Sequence, residues 1–349
     1  MSRETINGIR GWYFPNAEIE QAVAEGRLLS FDFELGDRCP LRCTYCYRSE
    51  DSRDDVSGLL TLDQWKSVVS QASALGAKSV KLIGGGELTH EPDFVEAMEY
   101  LSGHGIITVL FTSGTLLGDD TRCRRLQKMS SQELARWMHD LGMSVFIKMD
   151  SLDPILQDEI VGMSGYAKIR DAALDLLLET GFADHQLTRL GLEVNVSRAN
   201  AHEMGAIYEL RTKHNLYIDM VTSMPCDTYF TNDNYDINLE EKSRLYTRIY
   251  NFNKRLGIPF EDVSPFIGGM QCTQLAYGLY ITNRGDVLHC PGSFEKLGNT
   301  KCDSLIDLWL GFRDRTKYID PYFCPFRENA GIIPPGLVKS IRADVRAIT

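Results

Sequence analysis

The sequence predicts an α/β fold with a parallel sheet, because short apolar segments alternate with amphipathic ones between residues 30 and 225. The apolar segments are rich in β-branched residues, as buried strands are, and several amphipathic segments end at a glycine, as helices do. Hydrophobic residues make up 43% of the 349-residue chain, which is ample for the core of a large α/β domain with an appendage.

Six strands and the helices between them follow from this alternation. The predicted strands are residues 29–35, 79–83, 108–112, 144–149, 190–197 and 217–222. The predicted helices are residues 62–75, 92–104, 132–141, 169–180 and 201–213, followed by a helix at 238–256. Parallel strands bring their carboxyl ends to one edge, so we expect the chemistry in the loops that follow them.

Charge and hydropathy exclude several classes of protein. The net charge of −11 argues against a general nucleic-acid or anionic-membrane binder, although a local basic patch is compatible with it. No apolar stretch reaches 18 residues and the amino terminus is polar, so we expect a soluble, cytoplasmic protein. In such a chain, nine cysteines indicate metal or redox use and not disulfides.

The most informative segment follows the first predicted strand, where Cys39, Cys43 and Cys46 form a C-x3-C-x2-C motif. Thiolates this close can wrap a loop around a common centre, as in iron–sulfur ligation. A tetrahedral zinc site would need a fourth Cys or His near at hand, and this segment offers none. Three ligands to a four-iron cluster leave one iron open to a small molecule. A structural metal loop and three unrelated cysteines are the alternatives.

The spacing of the three cysteines, with Tyr45 just before the last one, resembles the radical S-adenosylmethionine (radical SAM) family. The resemblance implies a partial (β/α)6 parallel barrel at residues 29–237, after an amino-terminal segment at 1–28. It implies a [4Fe-4S] cluster whose open iron holds the amino and carboxylate groups of S-adenosylmethionine. An electron from the cluster then splits a C–S bond of this cofactor, and a 5′-deoxyadenosyl radical removes a substrate hydrogen. A flavodoxin- or ferredoxin-type electron donor is also implied.

A second motif, Gly84-Gly85-Gly86-Glu87, follows the second predicted strand. Glycines let the backbone pass close to a ligand and adopt positive φ. In the radical SAM family a Gly-Gly-Glu at this place binds the methionine amino group of the cofactor, so the resemblance gives that role to Gly85, Gly86 and Glu87. A plain glycine turn explains the glycines equally well, but not their placement after this strand.

Polar residues also end the third and fourth predicted strands. Ser113 lies in a Thr-Ser-Gly turn that resembles the Thr-Asn-Gly turn of the family. Lys148 and Asp150 end the fourth strand, where polar groups of related enzymes approach the ribose or the carboxylate of the cofactor. An ordinary surface ion pair is the alternative.

The fifth predicted strand carries Glu193, Asn195 and Ser197 at alternate positions, so all three lie on one face. A polar face on a barrel strand is costly unless it lines a wet site. We therefore expect these residues to face cofactor or substrate, with a solvated strand end as the alternative.

Beyond the barrel, residues 238–262 are predicted to be a linking helix and residues 263–349 a small α+β region. In that region Cys272, Gly285 and Cys290 form C-x12-G-x4-C around a predicted hairpin. This pattern resembles the opening of the SPASM and twitch extensions of radical SAM enzymes, which hold auxiliary iron–sulfur clusters.

The rest of the extension departs from a full SPASM region, because only Cys302 and Cys324 follow. We predict one auxiliary [4Fe-4S] cluster, held by Cys272, Cys290 and Cys324. Cys302 is either the fourth ligand or a bystander. A zinc site in this region is the alternative.

Cys226, just past the sixth predicted strand, is a candidate hydrogen-atom donor. Radical epimerases of this superfamily use such a cysteine to quench the substrate radical. The alternative is a small buried residue without a catalytic role. An auxiliary cluster that accepts an electron would instead give dehydrogenation or cross-linking.

The sequence thus favours a radical SAM enzyme, an oxidoreductase or epimerase, in a biosynthetic pathway. Peptide-modifying relatives often carry an amino-terminal leader-binding domain, and about 28 residues before the first strand are too few for one. We therefore expect a small polar metabolite, such as a sugar, aminocyclitol or nucleoside, as substrate. The alternatives are a radical SAM peptide maturase that epimerises or cross-links its substrate, and a non-catalytic iron–sulfur electron carrier.

Overall fold

The computed structural model of the chain describes residues 8–12, 14–48, 56–222, 237–257, 273–293 and 295–312, with positions 339, 340, 343 and 347. Within these residues nine strands form one sheet. The strands are β1 (Ser30–Phe33), β2 (Ser79–Leu82), β3 (Ile107–Thr112), β4 (Ser144–Lys148), β5 (Leu190–Val196), β6 (Tyr217–Thr222), β7 (Gly278–Ile281), β8 (Asp286–Leu288) and β9 (Lys296–Asn299). Their spatial order is β6-β5-β4-β3-β2-β1-β7-β8-β9.

Helices connect and cover these strands. The described helices are α1 (Asn16–Glu25), α2 (Leu62–Ala74), α3 (Phe94–Gly103), α4 (Asp120–Gln127), α5 (Ser131–Asp140), α6 (Pro154–Val161), α7 (Tyr166–Glu179), α8 (Met204–His214), α9 (Leu239–Leu256), α10 (Gln274–Tyr277) and α11 (Leu305–Gly311). Capping boxes at Thr61, Ser130 and Asn238 begin α2, α5 and α9.

The predicted fold class is confirmed, because β1 to β6 pair in parallel in chain order and each successive pair is joined by at least one helix. Among the described strands, β6 and β9 are the two edges and do not pair with each other, so this sheet is not closed, as expected of a partial barrel. Each of the six predicted strands is present, with ends that differ by two residues or fewer.

The two faces of the sheet differ in what they bury. On the helix-covered face the rings of Phe33 and Trp65 stack with centroids 5.0 Å apart, and both side chains are almost fully buried. On the other face, Trp12 packs against Phe111 and Phe146 with centroid separations of 5.4 and 5.1 Å. Aromatic packing therefore occupies part of both faces of the sheet.

The carboxyl-terminal hairpin is part of the main sheet. The predicted antiparallel pair is present as β7 and β8, and β7 also pairs in parallel with β1, so that Ser30 lies opposite Gly278. The boundary expected at residue 263 stays a prediction, although the sheet runs on from β1 into β7.

Among the described residues, none of the helices combines the length and the apolar character needed to cross a lipid bilayer.

Candidate active site

The cysteine loop, residues 36–47, is held against the end of α6 by backbone hydrogen bonds. The amide of Arg42 donates to the carbonyl of Val161 at 2.8 Å, and the amide of Thr44 donates to the carbonyl of Ile160 at 2.9 Å. The loop therefore has a defined path beyond the carboxyl end of β1.

The three cysteines of this loop are half-buried. Burial and the carboxylate of Glu87 raise the pKa of the Cys39 thiol to about 11. Burial also raises the pKa of Cys43. Among the described residues, no three His, Cys, Asp or Glu side chains converge on a single metal ion. An all-cysteine donor set in a poorly solvated loop fits an iron–sulfur cluster, because bound iron replaces the protons that burial retains.

The Gly-Gly-Glu segment packs directly on the cysteine loop. A Cβ at Gly86 would lie 2.3 Å from the carbonyl oxygen of Arg38, and a Cβ at Gly85 would lie 2.8 Å from that of Gly36. The amide of Glu87 donates to the Arg38 carbonyl at 2.7 Å. The glycines thus have a structural reason here, the close approach of two backbones, which is independent of any ligand.

The Glu87 carboxylate ties the ends of β2 and β3 together. Its Oε1 accepts hydrogen bonds from the hydroxyls of Thr112 at 2.5 Å and Thr89 at 2.7 Å, and its Oε2 accepts one from the amide of Ser113 at 2.6 Å. The residue is only 3% exposed. Ser113, predicted from its turn, therefore lies beside Glu87.

Lys148 is the centre of a buried polar cluster between β4, β5 and the cysteine loop. Its Nζ lies 3.2 Å from Oδ2 of Asp150, 3.3 Å from Oε2 of Glu193 and 4.4 Å from the ring centroid of Tyr45. The Tyr45 hydroxyl donates to Oδ2 of Asp150 at 3.1 Å. Burial opposes the charge of Lys148, but the two carboxylates outweigh it and hold the lysine pKa well above its ordinary value.

The predicted residues at the end of β5 lie next to this cluster. The amide of Asn195 donates to Oδ1 of Asp150 at 2.9 Å. The amide of Ser197 donates to the side chain of Asn200 at 2.8 Å, and Asn200 in turn donates to the Asp150 carbonyl at 2.8 Å. The surface ion pair that was the alternative for Lys148 and Asp150 is wrong, because Asp150 is fully buried. Asn200 joins the cluster although no sequence motif marks it.

Asp219 is a second residue that the sequence analysis missed. It lies on β6 directly opposite Glu193 in the β5–β6 register. Burial, reinforced by the carboxylate of Glu193, raises the pKa of Asp219 to about 7. Its signal in the sequence is a lone carboxylate inside an otherwise apolar predicted strand.

Glu34, just past β1, accepts hydrogen bonds from two tyrosines of distant segments. Tyr47 donates from the cysteine-loop side at 2.5 Å, and Tyr280 donates from β7. The amide of Asn283 also donates to the Glu34 carboxylate at 2.8 Å. The amide of Gly85 donates to the Tyr47 hydroxyl at 2.7 Å. The β7–β8 turn is thereby fixed to the cysteine loop. Chain-distant residues of this kind carry no local pattern, so the sequence analysis missed them.

The structure describes two of the four cysteines proposed for an auxiliary cluster. Cys290 follows β8 and is half-buried, and Cys302 follows β9 and is exposed. Cys272 and Cys324, like the candidate hydrogen donor Cys226, lie outside the described residues. The auxiliary cluster and the role of Cys226 therefore stay predictions.

Comparison with known sequences gives one family match and several relatives. Residues 33–199 match the family described as the Radical SAM superfamily. PqqA peptide cyclase of Bradyrhizobium diazoefficiens is 31% identical over 196 residues, which are 55% of this chain and 46% of that protein. The AdoMet-dependent heme synthase of Methanosarcina barkeri is 26% identical over 184 residues, or 53% of this chain and 46% of that protein. The chain thus spans about half the length of these curated relatives.

Solved structures share the fold. SuiB of Streptococcus suis, bound to precursor peptide SuiA, has a TM-score of 0.59 at 16% identity, covering 85% of this chain and 69% of that one. The structure of anSMEcpe with bound AdoMet and Cp18Cys peptide has a TM-score of 0.58 at 17% identity, covering 83% and 82%. At these identities the likeness concerns the fold alone.

Proposed function

Because residues 33–199 form a domain of the Radical SAM superfamily, we propose that this protein is a radical SAM peptide maturase. The observation that carries the choice of substrate is its 31% identity to a PqqA peptide cyclase over 196 residues. A heme synthase is also among its relatives, at 26% identity. The relatives thus favour the peptide alternative over the sugar, aminocyclitol or nucleoside that the sequence analysis put first.

The cysteine loop is the proposed site of a [4Fe-4S] cluster, with Cys39, Cys43 and Cys46 as its ligands. When bound, the cluster and S-adenosylmethionine supply a reducing electron and a carbon-centred radical that abstracts hydrogen. The protein's own contribution is to hold these groups at the carboxyl ends of the strands and to exclude water.

Glu87 has room for one further hydrogen-bond donor. A carboxylate offers about four acceptor positions, and the described contacts occupy two at Oε1 and one at Oε2. The remaining position at Oε2 supports the proposal that Glu87 accepts from the amino group of the cofactor.

Asp150 is proposed as a positioning residue and not as a direct ligand, because it is fully buried and each of its carboxylate oxygens already has at least two donors. These include the Asn195 amide and Lys148 at Oδ1, and the Tyr45 hydroxyl and Lys148 at Oδ2. Its carboxylate orients the hydroxyl of Tyr45 and the ammonium group of Lys148. Tyr45 and Lys148 remain partly exposed at the barrel mouth and are the members of the cluster that we propose to contact the cofactor.

The test is an activity assay on anaerobically reconstituted protein with S-adenosylmethionine and dithionite. Short peptides encoded beside the gene are compared with a panel of sugars, aminocyclitols and nucleosides. We expect one peptide to stimulate 5′-deoxyadenosine formation. That peptide should either lose two hydrogens, or keep its mass in H2O and gain one deuterium in D2O. The triple variant Cys39→Ala/Cys43→Ala/Cys46→Ala, which lacks the three cysteines of the loop, is the control.

Stimulation by a small metabolite alone would overturn the peptide proposal and restore the first expectation. Bound iron without any cleavage of S-adenosylmethionine would instead favour the non-catalytic electron carrier.

A further inference from the structure

A cationic cavity lies beside the cysteine loop, on the side of α4. It has a volume of about 430 Å³, and its lining residues are Arg38, Cys39, Pro40, Val56, His90, Arg122 and Arg125. Cys39, a proposed cluster ligand, forms part of the wall. Arg38, Arg122 and Arg125 contribute three guanidinium groups to the same cavity. No acidic residue is among the described lining residues.

Two of the three arginines are only partly neutralised. Arg38 lies 3.0 Å from a carboxylate oxygen of Glu91, yet its side chain is 47% exposed. Arg122 lies 3.5 Å from Asp119, a long contact for an ion pair. For the exposed guanidinium of Arg125, the described part of the chain shows no ion pair.

This concentration of positive charge is unusual in a chain whose net charge is −11. Three guanidinium groups that line one cavity attract and orient an acidic macromolecule there, against the repulsion of the overall negative charge. Any group that enters the cavity comes into contact with Cys39, hence close to the proposed cluster.

We propose that this cavity is the docking site for the electron donor, a small acidic protein that carries a flavin or an iron–sulfur centre. The proposal rests on the proposed function, which requires one electron for each cleavage of the cofactor. A donor docked there would give up one electron, a cluster on Cys39, Cys43 and Cys46 would accept it, and no atoms would be exchanged.

An acidic segment of the substrate peptide is the competing occupant. The cavity and the polar cluster around Lys148 have no residue in common. A ligand in the cavity is therefore close to the cluster while the barrel mouth stays open for substrate. This separation favours the electron donor over the peptide.

The test compares Arg125→Glu with Arg124→Glu, two charge reversals of equal size at adjacent positions of α4. Arg124 is 61% exposed, pairs with Asp120 and does not line the cavity. The reconstituted variants are titrated with oxidised flavodoxin by calorimetry at low salt. We expect Arg125→Glu to raise the Kd about tenfold or more, Arg122→Glu/Arg125→Glu to raise it further, and Arg124→Glu to change it less than about twofold.

A second readout compares cleavage of S-adenosylmethionine driven by flavodoxin with cleavage driven by dithionite. We expect Arg125→Glu to slow the first reaction and to leave the second unchanged. Equal loss of both reactions would overturn the proposal, as would an unchanged Kd for flavodoxin or a loss of peptide binding alone. If the wild type binds flavodoxin through the cavity but never cleaves the cofactor, the proposed function fails and the docking site stands.

Discussion

At the scale of single residues, the carboxyl edge of the sheet balances buried charges with partners from different elements. Lys148 from β4 is paired with Asp150 and with Glu193 from β5. Breaking such a pair from one side leaves a charge in a poorly solvated place, which is more costly than losing the contact itself. Two other buried carboxylates test how this edge stabilises charge: Glu87, which hydrogen bonds hold, and Asp219, which faces the like charge of Glu193.

Glu87→Gln should lower the free energy of unfolding by about 1–3 kcal/mol, because it buries an unpaired polar group. If the side-chain oxygen of the glutamine accepts from Thr89 and Thr112, its NH2 group faces the backbone N–H of Ser113. Two donors then meet and the hydrogen bond to Ser113 is lost. Urea unfolding measures the loss, and calorimetry with S-adenosylmethionine should show weaker binding. The exposed Glu99 of α3 provides the matched Glu→Gln control. A loss no greater than that of the control would contradict the structural role.

Asp219→Asn should gain stability over the wild type as the pH rises. The folded-state pKa of about 7 lies above the unfolded value of about 3.9. Between about pH 4 and 7 the folded protein therefore holds the extra proton, and the contribution of Asp219 to stability is lost as the pH rises through this window. Between a pH well below 4 and pH 8, the wild type therefore loses up to about 4 kcal/mol of unfolding free energy that Asp219→Asn keeps.

Urea unfolding of both proteins at pH 5 and pH 8 measures the part of this loss that falls between those two values, about 2–3 kcal/mol. Asp175→Asn, at an exposed position of α7, is the control for the substitution itself. An advantage of Asp219→Asn that did not grow with pH would refute the raised pKa.

At the scale of elements, the site depends on backbone contacts between loops. The cysteine loop touches the Gly-Gly-Glu segment on one side, the end of α6 on another and the β7–β8 turn on a third. Each neighbour comes from a different part of the chain, so the loop path depends on all three.

Gly86→Ala should displace the cysteine loop, because the new Cβ would meet the Arg38 carbonyl at 2.3 Å. Overpacking of this kind costs about 1–3 kcal/mol, and the displaced loop should retain less iron after reconstitution. Thermal unfolding and iron analysis measure both effects.

Gly103→Ala, at the end of α3 with no atom within 4 Å of the added Cβ, is the control and should be neutral or stabilising. If Gly86→Ala held as much iron as this control, the glycine would not be needed for the packing of the loop.

The elements also show where the sequence patterns were informative and where they were not. The six strands were predictable because each is a short apolar segment in a regular alternation. Helix α4 was missed because its sequence, DTRCRRLQ, is almost wholly polar and has no apolar stripe. Helix α6 was missed as well because it has only eight residues, although Asp153 and Pro154 give it the usual start signals.

At the scale of the whole molecule, the described β7–β8 hairpin extends the sheet that β1 to β6 form. Strand β7 continues the sheet beside β1, and the side chain of Asn283 donates to the Gly36 carbonyl at 2.6 Å. A change in the extension can therefore reach the cysteine loop through one turn.

Iron analysis tests the cofactors of the whole protein. Reconstituted wild type should hold about eight iron atoms, four on the cysteine loop and four in an auxiliary cluster, and the Cys39→Ala/Cys43→Ala/Cys46→Ala variant should hold about four. Iron and sulfide assays with EPR spectroscopy measure both. About four in the wild type and none in the variant would withdraw the auxiliary cluster on Cys272, Cys290, Cys324 and Cys302.

The sequence by itself determined the fold class, the six strands of the parallel sheet and the position of the cysteine loop, because these depend on local periodicity and on short motifs. Only the tertiary structure decided that Glu87 is held by Thr112 and Ser113, that Asp219 lies opposite Glu193, and that Arg38 and Arg125 line one cavity. The physical reason is that a pKa, a hydrogen bond and a charged patch depend on which residues meet in space, and parallel strands bring together residues that lie far apart in the chain.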